Sequence, residues 1–132
     1  MEEFKISTKE RYELVDITSN VEDVVNESGI EEGLVFVFTP HSTAGILITE
    51  NEDGLKKDWI SYFKKMVSGN DFYHDRIDNN ADSHILSGIL GQGKTLPIKS
   101  GKIYRGTWQN IFLVDFDGPR ERKVSIHLLN KN

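Results

Sequence analysis

After Gly91 the hydrophobic period of this sequence changes to two and stays so, and this change is the strongest constraint on the fold. Before Gly91, apolar residues recur at helical spacing in three stretches, with strand-like runs between them, whereas after Gly91 they follow a period of two. Strands and helices do not alternate regularly enough for a doubly wound parallel sheet. We therefore predict an α+β fold, a mainly antiparallel β-sandwich with about three helices packed outside it.

Eight segments have the character of strands and three that of helices. The predicted strands cover residues 4–7, 12–18, 33–39, 44–48, 96–98, 102–105, 111–117 and 123–129. The predicted helices run from a cap at Ser19 to Gly29, from near Thr49 or Asn51 to Gly69, and over 81–90. Their inward faces are predicted to carry Leu55, Trp59, Phe63 and Met66 on the second helix, and Ile85, Leu86, Ile89 and Leu90 on the third. The run 33–39 is apolar throughout, which predicts a strand buried on both faces.

Composition narrows the class of protein. A length of 132 residues without a linker or repeat suits one domain over residues 1–132. The 16 basic and 21 acidic residues give a net charge of −5, which disfavours a nucleic-acid partner. No cysteine is present, which excludes a disulfide scaffold and a thiolate nucleophile. Neither a long apolar run nor a signal-like start is found, so we expect no membrane association and a cytoplasmic location.

Residues 88–95 match the phosphate-loop pattern G-x-x-x-x-G-K-[ST], but the context is wrong. That loop needs a strand before it and a helix after it, so that helical N–H groups face the phosphates. Here a predicted helix comes first and a predicted strand follows. We therefore reject the motif and expect Lys94 to be a solvated turn residue.

Three histidines are candidates for chemistry. His41 follows Pro40 between two predicted strands, His74 lies in a polar loop, and His84 lies one turn into the third helix. Histidine serves equally as a metal ligand, an acid–base group or a structural residue. No pair of them has the short spacing that makes a metal site readable from sequence, so only the fold could assemble one. Nearby Asp75, Asp78, Asp82 and Glu50 are available to orient or ligate.

Residues 117–122 contain two arginines, Arg120 and Arg122, next to a predicted turn. They are either solvated side chains of a hairpin or an anion clamp, because guanidinium groups bind phosphate through paired hydrogen bonds. Upstream, Trp108 is predicted to lie in the core or at an interface. Gln109 is predicted to be a buried hydrogen-bond donor or an orienting residue.

Together these residues resemble the YjbQ-like family, often described as a secondary thiamine-phosphate synthase. The matching segments, in family order over nearly the whole chain, are 41–45, 50–52, His74-Asp75, 80–84, 96–98, 106–109 and 117–120. The resemblance implies an α+β fold containing a β-sandwich, a homotrimer, and a pocket where His41, His74 and His84 cluster, with a divalent ion such as zinc or magnesium as the expected cofactor. The implied reaction joins a pyrimidine diphosphate to a thiazole phosphate and releases pyrophosphate.

This resemblance leads to one set of site residues and three competing functions. His41, Asp82, His84 and Gln109 are the expected catalytic residues, and His41, His74 and His84 the expected metal ligands. Ser42, Thr43, Glu50, Asn51, Arg120 and Arg122 are expected to bind a small phosphorylated metabolite. The alternatives to the thiamine-type transferase are a metal-assisted phosphate-ester hydrolase and a non-catalytic trimer that binds a metabolite or metal.

Overall fold

The computed structural model describes residues 1–132 and contains eight strands and three α-helices. The strands are β1 (Glu2–Ser7), β2 (Glu13–Asp16), β3 (Glu32–Phe38), β4 (Ala44–Thr49), β5 (Gly93–Lys99), β6 (Lys102–Ile103), β7 (Asn110–Asp115) and β8 (Glu121–Asn130). The helices are α1 (Thr18–Ser28), α2 (Asp53–Val67) and α3 (Ala81–Leu90), and a short 3-10 helix covers Tyr73–Arg76. Every predicted strand and helix is found, with shifts at the ends.

The strands form two antiparallel sheets. The first is a curled half-barrel in the order β1-β8-β3-β5-β6, and the second has the order β2-β7-β4. All pairings in both sheets are antiparallel. The predicted α+β class with mainly antiparallel sheets and three helices is therefore confirmed.

The second sheet is the middle of three layers. Its Ile46, Ile111 and Leu113 pack against Val35 and Ile126 of the first sheet, and α1 closes this core at one side. On the opposite face of the second sheet, a second core contains residues from α2 and α3: its buried members are Tyr12, Leu47, Phe63, Leu86, Phe112, Val114 and Phe116. The second sheet is thus covered on both faces, which explains why β4 and β7 are apolar almost throughout.

The first sheet is covered on one face only, which corrects the prediction for residues 33–39. Val35 and Val37 of β3 are fully buried, but Leu34 and Phe36, which point the other way, stay exposed. The helical faces need a similar correction, because Met66 of α2 and Ile85 and Ile89 of α3 are exposed rather than inward.

Two local predictions are wrong at the helix ends. Helix α1 begins after Ile17 without a side-chain cap, so Ser19 lies inside the helix. Helix α2 begins at Asp53, where the Glu52 carboxylate accepts hydrogen bonds from two backbone N–H groups of the first turn. Both helices therefore begin at a different residue from the one that the S/T-x-x-E pattern indicates.

Lys94 is also placed differently from the prediction. It is a residue of β5 and not of a turn, and its ammonium donates to the carbonyl of Leu90 at the end of α3, at 2.8 Å. Burial lowers the pKa of Lys94. The order helix then strand confirms that residues 88–95 are not a phosphate loop.

No helix of the structure combines the length and the apolar character needed to cross a bilayer.

Candidate functional site

The predicted site residues lie at two opposite ends of the second sheet. Ala44 of β4 pairs with Asp115 of β7 at one end, and Thr49 pairs with Asn110 at the other. A strand rises by about 3.4 Å per residue, so these two ends are about 17 Å apart. Most candidates lie at the first end, which we call the histidine corner: His41, Ser42, Thr43, His74, Asp82, His84, Arg120 and Arg122. Glu50, Asn51 and Gln109 belong to the second end.

His41 has a fixed hydrogen-bonding state. Its Nε2 accepts the backbone N–H of Lys123 at 2.9 Å. A backbone N–H can only donate, so Nε2 carries the lone pair and the proton of the neutral ring is on Nδ1. Burial, and then the cationic side chains of Arg122, Lys123 and Arg120, hold the pKa of His41 below its ordinary value, although Asp115 acts in the opposite direction. At neutral pH, His41 is therefore a neutral ring with its Nδ1–H as a hydrogen-bond donor.

Arg122 is buried beneath this corner, which corrects the expectation of a solvated arginine. Its guanidinium donates to Asp115 Oδ1 and to Thr43 Oγ1, each at 2.7 Å. The side chains of Arg122 and Asp115 are only 2% and 0% exposed. The Nε–H group of Arg122 has no partner. Arg122 therefore holds the strand ends and the Thr43 loop together, and it adds positive charge under His41.

Arg120 is the exposed arginine of the corner. Its guanidinium lies 3.4 Å from Asp117 Oδ2, and half of its side chain is accessible to solvent. Asp117 also faces Arg11, at 3.6 Å. Because Asp117 holds Arg120 from one side only, the guanidinium keeps free N–H groups that can bind an anion.

His74 and His84 form a pair. Their rings are edge to face, with centroids 4.9 Å apart. Asn80 Nδ2 donates to Asp117 Oδ2 at 2.9 Å, so its Oδ1, which lies 3.0 Å from His74 Nε2, accepts a hydrogen bond from the Nε2–H of that ring. The neutral His74 ring then has its lone pair on Nδ1, the opposite arrangement to His41. The corner therefore offers a donor at His41 and an acceptor at His74.

Helix α3 is fixed to the corner by two hydroxyl groups. Ser83 Oγ donates to the carbonyl of Phe116, and Ser87 Oγ donates to the carbonyl of Ser42. These bonds connect the helix that carries His84 to the loop that carries His41 and to the end of β7. The positions of the candidate residues relative to one another are thus set by buried contacts.

Asp82 is occupied by two side chains from the β1–β2 connection. Tyr12 donates its hydroxyl to one carboxylate oxygen, and Arg11 lies 2.9 Å from the other. Burial and the hydrogen bond to Asp82 raise the pKa of Tyr12. Sequence reasoning did not select Arg11 and Tyr12, since about 70 residues separate them from Asp82 and no local pattern reveals the contact.

The second end is built around Asp16. Its carboxylate accepts from Asn51 and Asn110, and from the hydroxyl and N–H of Thr18. Burial alone would raise the pKa of Asp16, but these hydrogen bonds outweigh that effect, and the net result is a lowered pKa. Asn51 thus has a structural partner at this end of the sheet, away from His41.

Gln109 and Trp108 are exposed, which corrects the expectation of buried residues. Gln109 Oε1 accepts the N–H of Gly106 at 2.7 Å, and Arg105 donates to the Gln109 carbonyl. Trp108 is 70% exposed and is therefore not a core residue. These hydrogen bonds close the turn, but it lies at the opposite end of β7 from the histidine corner.

A three-histidine metal centre does not fit a single chain. No group of three His, Asp or Glu side chains is close enough to hold a metal ion. A metal needs an imidazole lone pair, and that of His41 already accepts the Lys123 N–H. The zinc or magnesium site therefore stays a prediction, and no chemical step below depends on it.

Two antiparallel sheets, with α2 and α3 on the far face of the second sheet and a cationic, histidine-lined corner at the end of that sheet, define a small α+β protein with a candidate anion site. Residues 2–131 match the family described as "UPF0047 protein YjbQ-like", and the chain belongs to that family.

Relatives and solved structures agree along the whole chain. A UPF0047 protein of Archaeoglobus fulgidus is 42% identical over 128 residues, covering 96% of this chain and 99% of that protein. The UPF0047 protein YugU of Bacillus subtilis is 35% identical, covering 95% and 96%. The crystal structure of SSO2532 from Sulfolobus solfataricus, described as a YbjQ-like protein of unknown function, has a TM-score of 0.96 and 42% identity, covering 98% and 96%. APE1520 of Aeropyrum pernix has a TM-score of 0.95 and 33% identity, and each chain is covered to 98%.

Proposed function

We propose that this protein binds a small phosphorylated metabolite in the cytoplasm, with the phosphate group at the histidine corner. The observation that carries the proposal is the fixed state of His41, whose Nε2 is occupied by a backbone N–H and whose Nδ1–H is left as a donor. Arg120 and Lys123 lie close enough to affect its pKa, and both side chains are exposed. Donors and positive charge in one place favour a phosphate or diphosphate.

The reaction we propose is the thiamine-type transfer. The bond between the pyrimidine methylene carbon and the diphosphate oxygen breaks, the thiazole nitrogen forms a bond to that carbon, and pyrophosphate leaves. Arg120 and the Nδ1–H of His41 would bind the diphosphate oxygens and stabilise the charge that develops on them as the bond breaks. Buried Arg122 would add to the local positive potential without touching the ligand. No proton has to be moved for this reaction to balance.

A hydrolase is the second candidate, and the His74–His84 pair is the observation in its favour. Asn80 Oδ1 accepts a hydrogen bond from the Nε2–H of His74, which in the neutral ring leaves the lone pair on Nδ1. Such a nitrogen can accept a proton from water as that water attacks a phosphate ester. Retention of a divalent ion by the assembled protein would add Lewis-acid chemistry to this reaction.

Binding and turnover can be tested separately. Calorimetry with pyrophosphate should show binding that Arg120→Gln weakens about 10- to 100-fold, the effect of losing one charged hydrogen bond of about 1.5–3 kcal/mol. Lys57→Gln, an exposed cation on α2, is the matched control and should bind as wild type does. Equal binding by Arg120→Gln and wild type would contradict the proposal.

Phosphorus NMR of the reaction mixture then separates the candidate reactions. The pyrimidine diphosphate and thiazole phosphate together should release pyrophosphate, whereas a generic phosphate ester should stay intact. Release of inorganic phosphate from the ester alone would favour the hydrolase. Binding without any turnover would favour the non-catalytic metabolite-binding protein.

We also propose that the chain assembles as a homotrimer. The support is its family membership together with its exposed apolar side chains, Trp108 among them. Sedimentation at micromolar concentration should give three times the 15.1 kDa of one chain. A mass of one chain would contradict the proposal.

A further inference from the structure

Asn80 directly precedes helix α3, but its side chain does not cap that helix. Asparagine is among the residues most favoured at this position, because its side-chain oxygen can accept a free N–H of the first helical turn. Here no such bond is formed. Instead, the carboxylate of Asp75 accepts the N–H of Ala81, the first residue of the helix, at 3.0 Å. The amide of Asn80 is therefore free for another role.

That amide bridges His74 and Asp117. Its Nδ2 donates to Asp117 Oδ2 at 2.9 Å, and its Oδ1 lies 3.0 Å from His74 Nε2. An ionised carboxylate can only accept, so the amide cannot turn round without placing its oxygen against another oxygen. Asp117 thereby fixes the orientation of Asn80, and Asn80 in turn fixes which ring nitrogen of His74 carries the proton.

Asp117 is held in place by its backbone, and it also contacts Arg120. Its side chain is only 12% exposed, and its backbone N–H donates to the buried carboxylate of Asp115 at 2.9 Å. Oδ1 faces Arg11 at 3.6 Å, whereas Oδ2, which accepts from Asn80, also lies 3.4 Å from the Arg120 guanidinium. One carboxylate oxygen is thus shared by Asn80 and the arginine proposed to bind phosphate.

We infer that Asn80 is a positioning residue that keeps the Nδ1 lone pair of His74 available. Through Asp117, it also connects His74 to the arginine that binds phosphate. Phosphate bound to Arg120 competes with Asp117 for the charge of the guanidinium. The carboxylate then accepts more strongly from Asn80, which polarises the His74 N–H in turn. The connection to phosphate rests on the proposed function, whereas the control of the His74 ring does not.

A serine at position 80 tests the control of His74. Serine caps helices as well as asparagine does, so Asn80→Ser keeps a capping residue, but its short side chain cannot bridge His74 and Asp117. Long-range proton–nitrogen NMR at about pH 8.5, where an ordinary histidine is neutral, shows which ring nitrogen carries the proton. In wild type the two His74 nitrogens should have widely separated shifts. In Asn80→Ser these shifts should move towards each other, because both tautomers become populated.

The matched control is Asn79→Ser, the same change one residue earlier. The Asn79 side chain is exposed, and the hydrogen bond of this residue with Arg11 is made by its backbone carbonyl. Asn79→Ser should therefore keep the wild-type His74 shifts. Wild-type shifts in Asn80→Ser, or a wild-type protein with the proton on Nδ1 of His74, would overturn the assignment.

Addition of pyrophosphate tests the connection to Arg120. In wild type, saturating pyrophosphate should move the His74 resonances, whereas those of His127, four residues beyond Lys123 on β8, should stay in place. In Asn80→Ser the pyrophosphate should still bind, but His74 should no longer respond. A response that persists in Asn80→Ser means that the ligand touches His74 directly, and it overturns the connection through the amide.

Asn80→Asp decides the matter if Asn80→Ser fails to fold. Aspartate is also a good capping residue, and its carboxylate accepts the His74 Nε2–H, but it cannot donate to Asp117. This variant should keep the wild-type His74 shifts and lose the response to pyrophosphate; any other result overturns the inference. Absence of pyrophosphate binding by wild type would overturn the proposed function and the connection to phosphate, while spectra of the free protein still decide whether Asn80 positions His74.

Discussion

Replacing Arg122 with Met should destabilise the protein far more than the same change at Arg120. The Arg122–Asp115 pair is buried, and the substitution leaves the Asp115 carboxylate with only the Thr8 hydroxyl and the Asp117 N–H as partners. Removing one partner of a buried ion pair costs about 3–5 kcal/mol. The Arg122 Nε–H is already unpaired, and losing that penalty offsets about 1 kcal/mol. The expected net loss is therefore about 2–4 kcal/mol.

This loss corresponds to a large shift in melting temperature. Unfolding entropy near 60 °C is about 2.1 cal/mol/K per residue, or about 0.28 kcal/mol/K for 132 residues. Calorimetry should then show Arg122→Met melting about 7–14 °C below wild type. Protein concentration must be the same in all samples, since association shifts the melting temperature.

Two further variants make the measurement decisive. Arg120→Met removes a half-exposed ion pair and should cost less than about 1 kcal/mol. Asp115→Asn, added to Arg122→Met, removes the uncompensated charge and should recover part of the loss. Equal melting temperatures for Arg122→Met and Arg120→Met would refute the view that the buried pair holds the corner together.

The remaining predictions concern a helix end, a titration and a metal. Lys94→Met removes the ammonium bond at the end of α3 and should cost about 1 kcal/mol in a urea titration, whereas an unchanged midpoint would refute that role. The pKa of His41 in the folded protein lies below its ordinary value of 6.5. The stability linked to this histidine is therefore complete above pH 6.5 and is lost as the pH falls through the folded pKa. A titration midpoint of His41 at or above 6.5 in NMR would contradict this prediction. Any zinc-like ion that elemental analysis finds in the purified protein should be depleted by Ala at His74 or His84, but not by His41→Ala, because the His41 lone pair already accepts the Lys123 N–H, nor by His127→Ala; depletion in His41→Ala would contradict the hydrogen-bonding state of His41.

Elements with a clear period were predictable from the sequence. The alternation after Gly91 and the spacing of Trp59 and Phe63 reflect burial on one side of a strand or helix, which is a local property of the chain. The prediction that both faces of β3 are buried was wrong for its outer side. An apolar run shows that both faces of a strand are hydrophobic, but it does not show whether the same chain covers each of them.

The composition of the histidine corner was only partly predictable. Its members could be selected by residue type, but their partners come from distant segments: Arg122 meets Thr43 across 79 residues of chain. The separation of Glu50 from His41 could have been predicted from the sequence. The predicted strand between them spans several residues, each of which adds about 3.4 Å. The family resemblance placed Glu50 and His41 in one site, whereas the strand between them keeps them apart.

The alternation along the ten residues of β8 limits which mutations this protein can accept during evolution. Even-numbered positions such as Arg122, Val124 and Ile126 face inward, and odd-numbered ones such as Lys123 and His127 face outward. A single inserted residue would exchange the two sets beyond the insertion point, moving outward side chains such as His127 into the hydrophobic interior. This strand can therefore accept substitutions one at a time, but insertions or deletions are expected only in the loops outside it.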